Sequence, residues 1–390
     1  MSQRDIVIAS YARTPFGKAN KGVLRDTRPD SMAAHVIEEA VDRAEGLRAD
    51  EIEDVVVGCA YPEGEQGKNV ARIAALKAGL PETVPGMTVN RFCSSGVQTI
   101  GIAADRIKAG DIDIAVAGGT ESMTMVPMGG NKPTANPEVV ADLPDVYLGM
   151  GLTAENVAER FDVSRQKQDE FALRSHQRAV EARQRGFFEG EIAPMETEVV
   201  VGDGRRESVT ADRDENIRPG TTLDKLSGLP AVFKHGGDIT PGNASPLTDG
   251  AAAVVVMSAE KADELGIEPL GYYRSLQVVG VPPEIMGIGP VPATRRLLDK
   301  TDLTVDDIDL FELNEAFASQ AVYCIEELGI DPERVNPNGG ALAIGHPLGV
   351  SGTRMAGTLL RALDERGEQR GIVTMCVGGG QGAAALFERA

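Results

Sequence analysis

Short apolar, β-branched runs alternate with helix-length amphipathic stretches over the first 120 residues, and this rhythm limits the possible folds more than any other feature of the chain. Ile6 to Ala9, Val55 to Gly58, Met87 to Asn90 and Ile112 to Ala117 read as strands. Between them, Met32 to about Ala44, Val70 to Ala78 and Val97 to Lys108 read as helices, the first capped by Asp30-Ser31. A strand–helix–strand alternation of this kind predicts an α/β fold with a mostly parallel sheet covered by helices. From about Gly119 to Asn243 the rhythm breaks into Pro- and Gly-rich loops, mixed-charge turns and one long polar helix near Ser164 to Arg185. Such a stretch predicts an inserted lid or binding subdomain. Regular structure resumes with a strand from Ala251 to Met257.

The second half repeats the first in outline. Ile308 to Phe311 reads as a strand and Glu315 to Leu328 as a helix. A Gly-rich turn follows Val335-Asn336, then a helix to about Leu363 and a strand from Gly371 to Val377. Val89-Asn90, Cys93 and Ile114 to Gly119 have counterparts, in the same order, in Val335-Asn336, His346 and Val373 to Gly380. This predicts an internal duplication, with one half over residues 1–265, its lid over about 119–245, and the other half over 266–390. Two like halves would set equivalent strand-to-helix turns side by side, where α/β folds bind ligands.

The 390 residues carry 39 basic and 59 acidic side chains, a net charge of −20, which argues against nucleic acid or an anionic membrane surface as a partner. The first residues lack the apolar stretch of a secretory signal, and no run is long enough to span a membrane, so a cytoplasmic protein is expected. Cys59, Cys93, Cys324 and Cys376 are too few and too dispersed for a disulfide framework, and no Cys-x-x-Cys pair points to zinc. Cys59 and Cys324 read as core thiols.

The other two cysteines lie in chemical contexts. Cys93, in Asn90-Arg-Phe-Cys-Ser-Ser-Gly96, stands between a strand and a helix. The positive end of a helix dipole and free N–H groups favour a thiolate there, and small neighbours admit a substrate. His346 is crowded by glycines and Pro347 in Gly339-Gly-Ala-Leu-Ala-Ile-Gly-His-Pro-Leu-Gly-Val-Ser-Gly352, whereas His35, His176 and His235 read as structural or surface residues. Its imidazole can activate a thiol and donate to a developing oxyanion. Cys376 opens a glycine run, Cys376-Val-Gly-Gly-Gly-Gln-Gly382, whose N–H groups can face a ligand. Asn314, after a strand, can hold a water or a carbonyl, or cap the next helix. The bases from Arg205 to Lys234 could meet an anion, but interleaved acids make a solvated mixed-charge loop the plainer reading.

With these residues in view, the chain resembles the thiolases, specifically the degradative 3-ketoacyl-CoA thiolase (acetyl-CoA acyltransferase) branch. The resemblance runs almost end to end, through Arg13-Thr-Pro-Phe-Gly17, the Cys93 segment, Gly118-Gly-Thr-Glu-Ser-Met123 and Met150-Gly-Leu-Thr-Ala-Glu-Asn156. It continues through Ile217-Arg-Pro-Gly-Thr-Thr222, Gly242-Asn-Ala-Ser245, Asn314-Glu-Ala-Phe-Ala318, Gly345-His-Pro-Leu-Gly349 and Cys376-Val-Gly-Gly-Gly380. It implies duplicated halves stacked as a five-layer αβαβα core with a loop domain over the active site, and a homodimer or a dimer of dimers. It implies Cys93 as acylated nucleophile, His346 as its activator and an oxyanion donor, and Cys376 as the acid/base at the enolate carbon. Asn314 would hold a water in the first oxyanion hole, and the N–H groups of Cys93 and Gly378 would form the second. Arg218, Lys225, Phe233 and Ser245 fall where the family contacts CoA, and Met150, Met286 and Phe317 where it lines the pantetheine and acyl pocket.

The implied reaction cleaves a 3-ketoacyl-CoA with CoA to acetyl-CoA and a shortened acyl-CoA, or runs in reverse as a Claisen condensation. CoA is a substrate here, and no metal or organic cofactor is expected. Association with a β-oxidation hydratase/dehydrogenase is a further expectation. Gly149 stands where short-chain biosynthetic thiolases often carry a His, which leans away from a strict acetoacetyl-CoA enzyme. Three alternatives remain: an acetoacetyl-CoA thiolase working by condensation, a ketoacyl synthase, and a non-catalytic acyl-CoA binder on a thiolase scaffold.

Overall fold

The computed structural model describes residues 4–390. The first half contains β1 (Ile6–Arg13), β2 (Gly17–Lys18), α1 (Pro29–Arg43), β3 (Asp54–Gly58), α2 (Val70–Lys77), β4 (Gly86–Val89), α3 (Ser95–Ala109) and β5 (Ile114–Ser122). An insertion follows, with α4 (Pro137–Asp142), α5 (Met150–Arg160), α6 (Arg165–Gln184), the hairpin β6 (Met195–Val200) and β7 (Arg206–Ala211), and α7 (Leu223–Ser227). β8 (Thr248–Ser258) and α8 (Ala259–Leu265) return to the core. The second half contains β9 (Gly271–Gly280), α9 (Pro290–Thr301), β10 (Leu310–Leu313), α10 (Ala318–Leu328), α11 (Ala341–Ile344), α12 (Ser351–Arg366), β11 (Arg370–Val377) and β12 (Gln381–Arg389).

Strand order exposes the duplication. The main path runs β10-β11-β12-β9-β1-β8-β5-β3-β4. Outward from the centre, β1-β8-β5-β3 repeats as β9-β12-β11-β10 with the same senses: antiparallel, antiparallel, parallel. The parallel pairing of β4 on β3 recurs in miniature as a bridge between Val335 and Phe311. The halves join through three residue pairs, Ile6–Ile8 against Gly271–Tyr273.

Side-chain alternation then builds the layers. On β8, Ala252, Val254 and Val256 enter a central apolar cluster, and Ala251, Ala253, Val255 and Met257 an outer one. Both faces are covered, so the strand is apolar throughout. The outer cluster is completed by α1 and α2. On the second half Ala384 and Leu386 face α9 and α10, while Ala383, Ala385 and Phe387 face the centre. The central cluster is filled by α3 and α12, which gives the expected αβαβα stack of a thiolase-type α/β fold.

The two central helices cross at their N-terminal ends, because glycines let them approach. A Cβ on Gly96 would lie 2.7 Å from the Thr353 nitrogen, and one on Gly352 would overlap the Val97 nitrogen. Just before α12, the Gly349 carbonyl oxygen fits against three glycines of the other half. A Cβ would sit 2.9 Å from it on Gly58 and 3.0 Å on Gly96, and would overlap it on Gly119. Cys93 and His346 precede these two helices, so this crossing is what brings the two turns together.

Several sequence expectations need correction. Asp30 does not cap α1. The helix begins at Pro29, after an extended Arg28 whose guanidinium bonds the Asp30 carboxylate. β5 continues to Ser122, so the insertion starts later than Gly119. α10 begins at Ala318, not Glu315. The insertion is stitched to β1 by Arg13, fully buried, which bonds Glu191 at 2.8 Å and Asp214 at 2.7 and 2.9 Å. Among the described residues no helix is long and apolar enough to cross a membrane.

Gly119→Ala should therefore cost about 2–3 kcal/mol, because its methyl must displace backbone rather than a flexible side chain. Gly202→Ala, where a Cβ meets nothing within 4 Å, should stay within about 0.5 kcal/mol. Urea denaturation of both variants checks this, and equal midpoints would show that the crossing tolerates a Cβ.

Candidate active site

Phe92–Ser94 forms a single 3₁₀ turn that runs into α3. Phe92 takes φ of 42°, a left-handed conformation uncommon for a bulky residue. Its N–H donates to Asn90 Oδ1 at 2.8 Å, while Ser95 Oγ accepts from Arg91 N–H at 2.8 Å and donates to Phe92 O at 2.7 Å. This turn aims the Cys93 thiol into a pocket formed with Ala60, Met123 and Leu348. The backbone N–H groups of Gly378 and of Cys93 itself favour the thiolate. Burial nevertheless pushes the thiol up to about 11, and the N–H groups oppose this only in part. The helix terminus supports the thiolate, as the sequence suggested, but desolvation dominates and the resting group is a thiol.

His346 follows Gly345, whose φ of 126° excludes a side chain. Its N–H donates to Thr248 Oγ at 3.2 Å. Ser351 Oγ lies 2.6 Å from Nδ1 and donates to Pro347 O at 3.1 Å. The hydroxyl proton is thus committed, which makes Nδ1 the N–H donor and leaves a lone pair on Nε2. Asn314 Nδ2 donates to that lone pair at 3.2 Å. Burial, helped by the Arg354 charge, pushes the imidazole down to about 3, so it rests neutral.

Asn314 is fixed from three directions. Its N–H donates to Thr374 O at 2.9 Å. The Asn336 side chain pairs with both the N–H and C=O of Leu313, at 2.9 and 2.8 Å, and also reaches Glu315. Glu315 in turn accepts from Ser175 Oγ and Leu342 N–H. Asn314 is not a helix cap, because α10 starts four residues later. Its Oδ1 is buried without a partner, the kind of atom that a water satisfies.

Cys376 ends β11, fully buried, beside Met286, Ala316 and Phe317, with Met150 packed against them. Burial raises its thiol well above the usual value, and a charge on Cys93 would raise it further. Phe233 stands edge-on to Phe317 with centroids 6.2 Å apart, and Ser245 N–H donates to Ala316 O at 3.0 Å. Met150, Met286, Phe317, Phe233 and Ser245 therefore gather around Cys376. Arg218 and Lys225 are exposed and lie on the insertion; Arg218 borders a hollow of about 210 Å³ beside His176. Arg205 and Arg206 belong instead to the β6–β7 hairpin and pair with its acids, Asp203 and Glu198, as a mixed-charge loop would. Ser351, Thr248, Glu315 and Asn336 were not singled out from sequence. Ser351 and Glu315 lie close in sequence to the residues they support, His346 and Asn314, whereas Thr248 and Asn336 do not.

Residues 6–260 match the family described as "Thiolase, N-terminal domain", and residues 267–389 the one described as "Thiolase, C-terminal domain". This chain belongs to the thiolase family. It is 51% identical to a 3-ketoacyl-CoA thiolase of Bacillus subtilis, with 99% of each chain covered. Its fold is similar to the dimeric peroxisomal thiolase of Saccharomyces cerevisiae, with a TM-score of 0.90, 41% identity, and 100% and 98% of the two chains covered. It is also similar to a Bacillus anthracis acetyl-CoA acetyltransferase, with a TM-score of 0.91, 40% identity, and 100% and 99% covered. Among the described residues of this thiolase, no group of three or more His, Cys, Asp or Glu side chains gathers as a metal site.

The resting thiol and neutral imidazole set a pH dependence. Iodoacetamide labelling of Cys93 should rise about tenfold per pH unit above pH 7, since only the thiolate reacts. It should level off near the thiol value of about 11 and show no inflection near the usual histidine value of 6.5. A plateau already reached at neutral pH would mean a preformed thiolate.

Proposed function

We propose that this thiolase cleaves 3-ketoacyl-CoA with CoA, giving acetyl-CoA and a shortened acyl-CoA through an acyl-Cys93 intermediate. The observation that carries this reading is that the two thiols interact with each other, that Leu348 of the His346 turn lines the Cys93 pocket, and that Asn314, bonded to His346, is held on the strand that carries Cys376. The similarity to the Bacillus subtilis 3-ketoacyl-CoA thiolase supports the substrate class.

The residues define a proton inventory. Cys93 attacks the ketone carbon while its proton passes to the lone pair of His346 Nε2, displacing the Asn314 Nδ2 hydrogen bond that rests there. The N–H groups of Cys93 and Gly378 hold the alkoxide, while the new Nε2–H, with a water held by Asn314 Oδ1, faces the thioester oxygen on which the enolate charge develops. Collapse of the alkoxide breaks the C–C bond, and the acetyl-CoA enolate takes the proton of Cys376. Burial suits Cys376 to this step, since it arrives protonated. Free CoA next attacks the acyl group, in the same oxyanion hole formed by the N–H groups of Cys93 and Gly378. The CoA proton returns to Cys376, and Cys93 recovers its own from His346. The thioester stabilises the enolate, so CoA is a substrate and the scheme calls on no metal or organic cofactor.

Arg218, Lys225, Phe233 and Ser245 are assigned to CoA, and Met150, Met286 and Phe317 to the pantetheine and acyl chain. The assembly is read as a homodimer or a pair of dimers, in line with the dimeric yeast thiolase. Association with the hydratase/dehydrogenase that supplies 3-ketoacyl-CoA fits the reaction. Four free, buried cysteines fit a reducing compartment, and we place the protein in the cytoplasm.

The acetyl-CoA acetyltransferase of Bacillus anthracis keeps a second reading in play, a short-chain enzyme working by condensation. Gly149 supports the longer-chain reading, because it is exposed just before α5 and carries no side chain that would narrow the approach to Met150. Each methylene of a longer acyl chain that the enzyme buries contributes about 0.8 kcal/mol. Thiolysis followed by loss of the ketoacyl absorbance should give a higher kcat/KM for medium-chain substrates than for acetoacetyl-CoA. The opposite order would favour the short-chain reading.

The two thiols separate by variant. Acyl exchange onto Cys93 needs no proton at the α-carbon, whereas thiolysis does. Cys376→Ser should lower thiolysis by about 10²–10⁴-fold, while labelled acetyl-CoA still acylates Cys93. Cys93→Ser should lose both. Equal loss of both activities in folded Cys376→Ser would refute this division of labour.

A further inference from the structure

Glu121, near the end of β5, is fully buried and has no place in the scheme above. One carboxylate oxygen accepts from the N–H groups of Ala60 and Gly349, each at 2.8 Å. The other accepts from Gln66 Nε2 at 2.6 Å, Tyr61 N–H at 3.3 Å and the Cys59 thiol at 3.8 Å. Burial raises the Glu121 carboxyl above its usual value, but every contact is a donor that favours the ionised form against it, and among the described residues no cation pairs with it. A lone buried carboxylate is costly unless hydrogen-bonded throughout, and here it is.

The donors locate its effect. Ala60 and Leu348, the neighbour of Gly349, form the wall of the Cys93 pocket. The Tyr61 ring lies tilted against that of Phe92, inside the nucleophile turn, with centroids 6.0 Å apart. Gly349 follows His346 by three residues and belongs to the other half of the molecule. Its carbonyl is already seated among Gly58, Gly96 and Gly119, so Glu121 fixes the remaining polar atom of that residue.

We propose that Glu121 is a positioning residue for acyl transfer, tying the backbone of Ala60, Tyr61 and Gly349 into one wall and so holding the His346 turn against the Cys93 turn. The proposal rests on the thiolase reading of the site. It also places a fixed negative charge near the nucleophile, which supports the thiol form of Cys93. Tyr61, Cys376 and the neutral His346 are the other titratable groups around that pocket, and Cys59, Tyr61 and Cys93 those around Glu121.

Two variants test this. Glu121→Gln keeps the size but removes the charge, and its amide must turn an N–H towards a backbone N–H. It should lower kcat about 10- to 100-fold, leave KM for CoA near wild type, and move the alkylation profile of Cys93 to lower pH. Glu121→Asp keeps the charge but retracts by one methylene, so kcat should fall while the alkylation profile stays. The proposal is overturned if both variants keep wild-type kcat, if Glu121→Gln raises KM instead and leaves the profile unmoved, or if neither variant folds, which would make the residue structural. Alkylation needs no acyl-CoA, so it judges Glu121 even if the wild-type enzyme cleaves no 3-ketoacyl-CoA.

Discussion

The seating of one residue, Gly349, holds the two halves of this enzyme in working register. Its carbonyl oxygen occupies a niche that only glycines at 58, 96 and 119 can leave open, and its N–H is claimed by Glu121. Sheet pairing between the halves is slight, three residue pairs between β1 and β9. The central helices cross nearby through Gly96 and Gly352. A close polar fit at this place therefore fixes the relative position of two turns that come from opposite halves. Tight interiors transmit small shifts, so the precision of the site depends on this packing.

Burial shapes the electrostatics of the site as strongly as geometry does. Cys93 and Cys376 are both held as thiols, and His346 as a neutral imidazole. None of these three groups carries a charge at rest. In the proposed scheme charge develops on them only when a carbonyl arrives, among donors already in place, which is how preorganised sites lower barriers. The orphaned Asn314 Oδ1 is the one unmet polar atom in the His346–Asn314 pair.

How much of this was legible in the sequence depended on the reach of each signal. β3, β5 and β8 announce themselves because both of their faces are buried and their apolar or small residues run together at 55–58, 114–120 and 250–258, with the carboxylates of Asp54, Glu121 and Asp249 only near the ends. β9 was missed because most of its residues, including Arg274 and Gln277, are only half-buried. β12 was missed because Ala383 to Ala385 favour a helix by propensity, and only insertion between β11 and β9 makes them a strand. Cys93, His346 and Cys376 stand out in the sequence because each lies in a turn of small residues, although Gly96 and Gly349 in two of those turns also seat the helix crossing. Glu121 does not, because its most telling partner lies 228 residues away. The thiol's protonation was misjudged for a related reason: a helix terminus is a local feature, and burial is a global one.

The place of β1 in the sheet bears on how the molecule comes into being. Ile6 pairs with Ser258 on one side and with Tyr273 on the other. β1 is thus the seam of the finished sheet, and its earlier sheet partner, β8, is made only some 240 residues after it. At ribosomal speed that is on the order of 10–50 s. Through this interval an apolar, β-prone segment waits with both edges open, the condition under which strands find wrong partners. Completion of the fold is therefore tied to translation reaching β8 and β9, and a chain cut short before them would have nothing to shield its own beginning.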